Sequence, residues 1–212
     1  MNVPTSAGFG AAAVGGVWYS LRRAAAVLDD RRIPLTGLVA AFVFAAQMVN
    51  FPVAAGTSGH LLGGVLAAVL LGPWLGSIVI TVVLVVQALI FADGGLSALG
   101  LNVFNMAVIG AIGGWFLYRL LIGLLPSRSG SVPIAAGVAA GISVVLASLG
   151  FAVQYAIGGE GAASVGTVAA AMVGVHLLIG IGEGVITALV VGAVLASRPD
   201  LVAGRPKEAV HG

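Results

Sequence analysis

Cysteine is missing altogether from the 212 residues, which excludes disulfides, thiolate metal sites and a catalytic thiol. Charge is nearly missing: Asp, Glu, Lys and Arg make up 8% of the chain, where a soluble domain carries about 25%. Neither HExxH nor GxSxG occurs, and there is no glycine-lysine phosphate loop of the Walker A type. ATP hydrolysis by this chain is therefore excluded, and an intramembrane hydrolase would have too few groups to work with. The basic residues are dispersed between apolar runs, so a formal charge of +2 gives no sign of a nucleic-acid surface.

What is present is apolar. Hydrophobic residues make up 60% of the chain and mean hydropathy is +1.17. Apolar runs cover about 5–21, 34–50, 60–71, 77–91, 101–125, 132–157 and 165–196. Most are long enough, at 1.5 Å per residue, to cross a ~30 Å hydrocarbon core. The predicted fold is all-α: one integral membrane domain over 1–212, a polytopic bundle of about seven transmembrane helices in the plasma (inner) membrane. The run at 60–71 is short, which suits a tilted or broken helix. Gly72 to Gly76 reads as a turn. With 33 glycines, the helices are expected to pack through small residues, and Gly8, Ala12, Gly16 and Ser20 repeat on one face of the first.

The arginines follow the first run instead of preceding it, which argues for an uncleaved helix and against a signal peptide. Of the nine basic residues, Arg22, Arg23, Arg31 and Arg32 lie in 22–33, Arg119 and Arg128 in 119–132, and Arg198, Arg205 and Lys207 in the tail. The loops 51–59, 93–100 and 158–164 have none. By the positive-inside rule the N-terminus is outside and the C-terminus cytoplasmic.

The stretch Phe42 to Gly64 carries the densest set of signals. Pro52 breaks a helix, Thr57 and Ser58 read as hydroxyl N-caps of a new one opening at His60, and Gly59 permits close backbone approach. Two readings of His60 stay open: a structural imidazole with a satisfied hydrogen bond, or a metal or proton site. His211 lies in the tail and is expected to be solvated. His176 and Glu183, seven apart, share one face of the last helix. A carboxylate within a span costs roughly 2.5–3.5 kcal/mol on insertion scales, so Glu183 needs a partner. Structurally, it would join His176, Asn102 and Asn105 in a polar network tying the last helix to the fifth, and glutamine could replace it. The functional alternative is a proton or cation relay. A secondary cation transporter or a metal-independent membrane scaffold would be the corresponding alternative functions; the first normally shows internal repeats and more buried carboxylates.

Three blocks, AAQMVNFPVAAGTSGHLLGG (45–64), VVLVVQALIFADGGLSALGLNVFNMAV (82–108) and HLLIGIGEGVIT (176–187), resemble the CbiM/NikM family. These are substrate-binding membrane subunits (S components) of energy-coupling-factor transporters for cobalt and nickel, and the likeness covers nearly the whole chain. The resemblance implies uptake of Co²⁺ or Ni²⁺ as substrate, linked for cobalt to cobalamin biosynthesis, with no cofactor and no catalytic residue. It also implies a transmembrane coupling (T) subunit, two ABC ATPase subunits and a small accessory membrane subunit as partners, with membrane lipid around them and no nucleic acid.

In that family the metal is held by an N-terminus reading Met-His-x-Pro-Asp-Gly-Phe and by the histidine of the TSGH turn. The first supplies its amine, the second residue's amide nitrogen and its imidazole. His60 matches the turn histidine directly, and the Met1 amine and Asn2 backbone nitrogen would be the counterparts if the chain starts here. Four nitrogens suit Ni²⁺ and can serve Co²⁺. The start departs from the pattern, because Asn2 has no imidazole and no Asp-Gly-Phe follows Pro4. Either this is a divergent member, or Met1 is an internal methionine of a chain that begins upstream with a histidine in second place. The second reading is favoured, since Val3-Pro4-Thr5-Ser6 reads as the entry to helix 1, and a chain starting at Met1 is then expected to bind metal poorly. His176 is a conceivable further donor, though nothing in the sequence brings it to the N-terminus.

Overall fold

The computed structural model describes residues 1–26, 28, 30, 32–52, 58–128 and 130–204. Arg31, Thr57, Arg205, Lys207 and His211 lie outside the described residues.

Helix α1 (Val3–Ala24) opens on Asn2, whose Oδ1 accepts from the Thr5 N–H at 3.0 Å, with Pro4 in the first turn where an N–H is not needed. Arg22 and Arg23 close it, lying over Trp18 and Tyr19 at 4.1 and 5.2 Å from the ring centroids. Two cations at a helix C-terminus complement its dipole. Helix α2 (Arg32–Gln47) follows, then two short strands, β1 (Asn50–Pro52) and β2 (Ser58–His60), paired antiparallel with Asn50 opposite His60. Next come α3 (Gly64–Leu71) and α4 (Pro73–Ile90). After a 3₁₀ turn, Leu96–Ala98, one long helix runs as α5 (Leu99–Val103), a π-helical segment Phe104–Gly113, and α6 (Gly114–Leu124). Helices α7 (Ser131–Gly158) and α8 (Val165–Ser197) complete the bundle.

Every apolar run of the sequence carries helix, the third only from Gly64. Among the described residues, four helical stretches are long and apolar enough to cross a membrane: Pro73–Ile90, Leu96–Leu124, Ser131–Gly158 and Val165–Ser197. Helix α2 is apolar but shorter.

The third run is a correction. The expected helix start at His60, capped by Thr57 and Ser58, is instead strand β2, and α3 begins at Gly64. Gly63 sits at φ +69, a left-handed turn that a side chain would strain, and here it replaces a hydroxyl cap. The eight residues of α3 are about 12 Å long at 1.5 Å per residue, too short to cross a membrane. All eight are buried, as an apolar-all-round helix requires, so α3 runs through the core, with α2, α4, the π-helical segment, α6, α7 and α8 packed against it. Gly72 alone (φ +85) separates it from α4, so the expected five-residue turn shrinks to one, with Pro73 already in the next helix. At the far end of α3 the Val69 carbonyl accepts from the Ala203 N–H at 2.7 Å, which satisfies a helix-terminal group inside the core.

Small residues carry the α7–α8 packing. A Cβ on Gly137 would fall 2.6 Å from the Gly184 carbonyl oxygen, and one on Gly180 2.8 Å from that of Gly141. The four-residue repeat of α1 divides: Gly8 and Ala12 are exposed, whereas Gly16 faces Val108 and buried Ser20 bonds to Ser77 at 2.9 Å.

Candidate functional site

A cavity of about 550 Å³ lies where β2, the 93–98 turn, the long π-containing helix, α7 and α8 meet. Its walls include His60, Asp93, Asn102, Asn105, Met106, Ser148, Met172 and His176. Two other cavities, about 590 and 610 Å³, are lined almost wholly by apolar side chains of α7–α8 and of α1, α4 and α5. Of these three, the first has the donors for polar chemistry.

His60 is half-buried at the end of β2, and its Nδ1 lies 2.8 Å from the Leu61 carbonyl oxygen. A carbonyl can only accept, so Nδ1 carries the proton and the neutral ring keeps its lone pair on Nε2. His176 is held in the same way, Nδ1 to the Met172 carbonyl at 2.7 Å, and is 6% exposed. A ring nitrogen fixed by a backbone carbonyl is the usual support of an imidazole that binds metal through its other nitrogen. Asp93 is the one carboxylate in the wall, bonded by Asn50 Nδ2 at 3.2 Å. Among the described residues, the wall has no Lys or Arg. One anion, two imidazoles and neutral oxygen and sulfur groups make a surface that favours a cation. Among the described residues, no three of His, Cys, Asp and Glu gather closely enough to hold a metal by themselves.

The predicted polar network is rearranged. Glu183, 2% exposed, does not meet Asn102 or Asn105; its carboxylate oxygens accept the backbone N–H of Leu62 and, at 2.8 Å, of Gly63. It therefore caps α3 from 120 residues away, doing what Thr57 and Ser58 were expected to do locally. Asn105 instead pairs reciprocally with Gln154, both bonds 2.9 Å, and Asn102 Nδ2 reaches the Gly94 carbonyl at 3.5 Å. The changed partner bears on the expected tolerance of glutamine at 183: two N–H groups end on two carboxylate oxygens, and in an amide one of those acceptor atoms becomes an NH2 donor.

The Met1 amine stands 4.0 Å from exposed Glu160, the Asn2 N–H donates to the Gly158 carbonyl at 2.7 Å, and neither residue lines the His60 cavity. The two histidines, by contrast, are brought to one cavity from 116 positions apart, which the sequence did not foresee. His176 also packs on Gly59: a Cβ there would lie 3.0 Å from its Nε2. Gln47 was missed entirely. It is fully buried and its Nε2 donates to the Leu62 carbonyl at 2.7 Å. The signal was available, because an amide inside an apolar run must find a partner.

A family model described as the cobalt uptake substrate-specific transmembrane region matches residues 1–201. The chain belongs to the CbiM family. A cobalt transport protein CbiM of Sorangium cellulosum is 41% identical over 80% of this chain and 76% of its own length. A fused nickel transport protein NikMN of Rhodobacter capsulatus is 37% identical over 89% of this chain, which spans 58% of that longer protein. Among solved structures, the crystal structure of a transition metal transporter superposes with a TM-score of 0.85 at 32% identity, covering 93% of this chain and 90% of that one. Membership agrees with the all-helical architecture and with a location in the membrane, and CbiM relatives are named as transport proteins.

Proposed function

We propose that this CbiM-family chain is the metal-capturing membrane subunit of an energy-coupling-factor ABC transporter that takes up cobalt or nickel. The observation that carries the reading is His60: an imidazole with Nδ1 committed to a backbone carbonyl, in the wall of the polar cavity. That arrangement leaves Nε2 as the donor for a borderline-soft divalent ion, while neutral groups and water complete its coordination. The family model is named for cobalt uptake, and relatives named for cobalt and for nickel transport support both ions as substrates.

The chain carries no Walker A loop, so the energy comes from elsewhere: a transmembrane coupling subunit and two ABC ATPase subunits, with a small accessory membrane subunit beside them. The nine basic residues cluster in the segments that an outside N-terminus makes cytoplasmic, which supports an outer-face location for the His60 cavity, where metal arrives.

Uptake of radioactive ⁵⁷Co²⁺ or ⁶³Ni²⁺ by cells carrying the whole operon, with and without this chain, tests the function. His60→Ala abolishes the uptake that depends on the chain while the protein still reaches the membrane, and His211→Ala keeps it. Equal behaviour of the two variants contradicts the site.

A further inference from the structure

We infer that Glu183 is a positioning residue for metal capture: from α8 it fixes the segment that carries His60, without itself touching the ion. The inference rests on the reading of His60 as a metal donor. Its basis is the set of ties on residues 59–63. Ahead of His60, the Gly59 backbone lies against the His176 ring, close enough that any side chain at 59 would collide with it. Behind His60, the Leu62 and Gly63 N–H groups both end on the Glu183 carboxylate. The peptide between them is held from the opposite side, with Gln47 Nε2 donating to the Leu62 carbonyl. His176 and Glu183 stand on one face of α8, so one rigid helix grips the His60 segment on both sides of the imidazole.

The segment needs that grip, because among the described residues no hydroxyl caps α3, and Gly63 is in a left-handed conformation. Without the carboxylate, two buried N–H groups lose their acceptor and the backbone at 62–63 must turn elsewhere to find one. The Leu61 carbonyl that orients the His60 ring belongs to the neighbouring peptide. A shift there moves the imidazole and changes which way Nε2 points. Outer-shell partners of this kind act on metal affinity through geometry.

The test is Ni²⁺ titration of the purified full chain, with the thermal midpoint of every variant recorded in the absence of metal. Glu183→Gln is expected to weaken Ni²⁺ binding about 10–100-fold and to alter the Co²⁺ d–d absorption spectrum. Ser77→Ala serves as the control. It removes the buried Ser20–Ser77 bond away from the cavity, and it should lower the midpoint without changing affinity or spectrum. Gln47→Met, of similar shape, removes only the tie on the Leu62 carbonyl and should weaken binding in the same direction; it carries the test if Glu183→Gln does not accumulate. Affinity and Co²⁺ spectrum unchanged in Glu183→Gln, or in Gln47→Met in its place, while His60→Ala binds far more weakly than the unmodified chain, overturn the positioning role and leave the metal reading standing. A His60→Ala chain that binds as well as the unmodified one overturns the reading beneath it.

Discussion

At the His60 end of the molecule, backbone N–H and C=O groups of Leu62 and Gly63 are tied by side chains that reach in from α2 and α8. Along the α7–α8 seam Gly137, Gly141, Gly180 and Gly184 bring two backbones into close contact instead. The difference follows from what each region has to do. Close glycine contact suits a membrane, where apolar side chains gain little by leaving lipid and association depends on packing. It specifies how two helices lie but not where one side chain points. Directional hydrogen bonds do specify that, at the expense of burying a carboxylate and a glutamine. The polar end is therefore organised for the orientation of donors, and the seam for holding the bundle.

If the two regions are separable in this way, mutation should separate them. The largest effect on folding is expected at the seam. Gly137→Ala puts a Cβ 2.6 Å from the Gly184 oxygen, and overpacking of this kind costs about 1–3 kcal/mol. The yield of folded protein and the thermal midpoint should both fall, while the fraction that folds keeps its Ni²⁺ affinity. Loss of affinity in that fraction would break the comparison, because the seam would then be setting donor geometry too.

A smaller effect is expected within the polar region but away from the ties on His60. Gln154→Leu leaves buried Asn105 without its reciprocal partner. Hydrogen bonds between membrane helices average about 0.6 kcal/mol and reach about 1.7, so the midpoint should drop modestly. Asn105 lines the cavity, so a weakening of metal binding beyond about twofold would extend the orienting region to α7 and sharpen its boundary. The smallest perturbation is a reporter fused after Lys207. It should leave uptake intact and be active only in a cytoplasmic form, and an external signal would reverse the outer location given to the cavity.

The same contrast explains what could be read in the chain beforehand. Long helices such as α7 and α8 announce themselves through uninterrupted apolar runs and flanking loops, and their glycines already pointed to close packing. Strands of three residues have no periodicity to detect, so β1 and β2 were invisible, and local hydroxyls drew the start of α3 forward to His60. The cap that α3 does use comes from Glu183, more than a hundred residues later, and no local rule reports such a pairing. The burial cost of Glu183 correctly required a partner, but cost alone does not choose between two asparagines and two backbone amides. The same holds for His176, whose neighbour in space is Gly59. The π-helical segment that carries Asn105 and Met106 to the cavity wall reads in sequence as ordinary apolar helix.

X-ray absorption at the metal edge of the purified, Ni²⁺-loaded chain tests most directly whether His60 is the donor. Imidazole produces multiple scattering that water, amide and thioether ligands do not. The spectrum of the unmodified chain should contain it, and His60→Ala at equal metal loading should lose one imidazole from the fitted shell. An unchanged imidazole count in His60→Ala would contradict the account, because the metal would then be held somewhere other than His60.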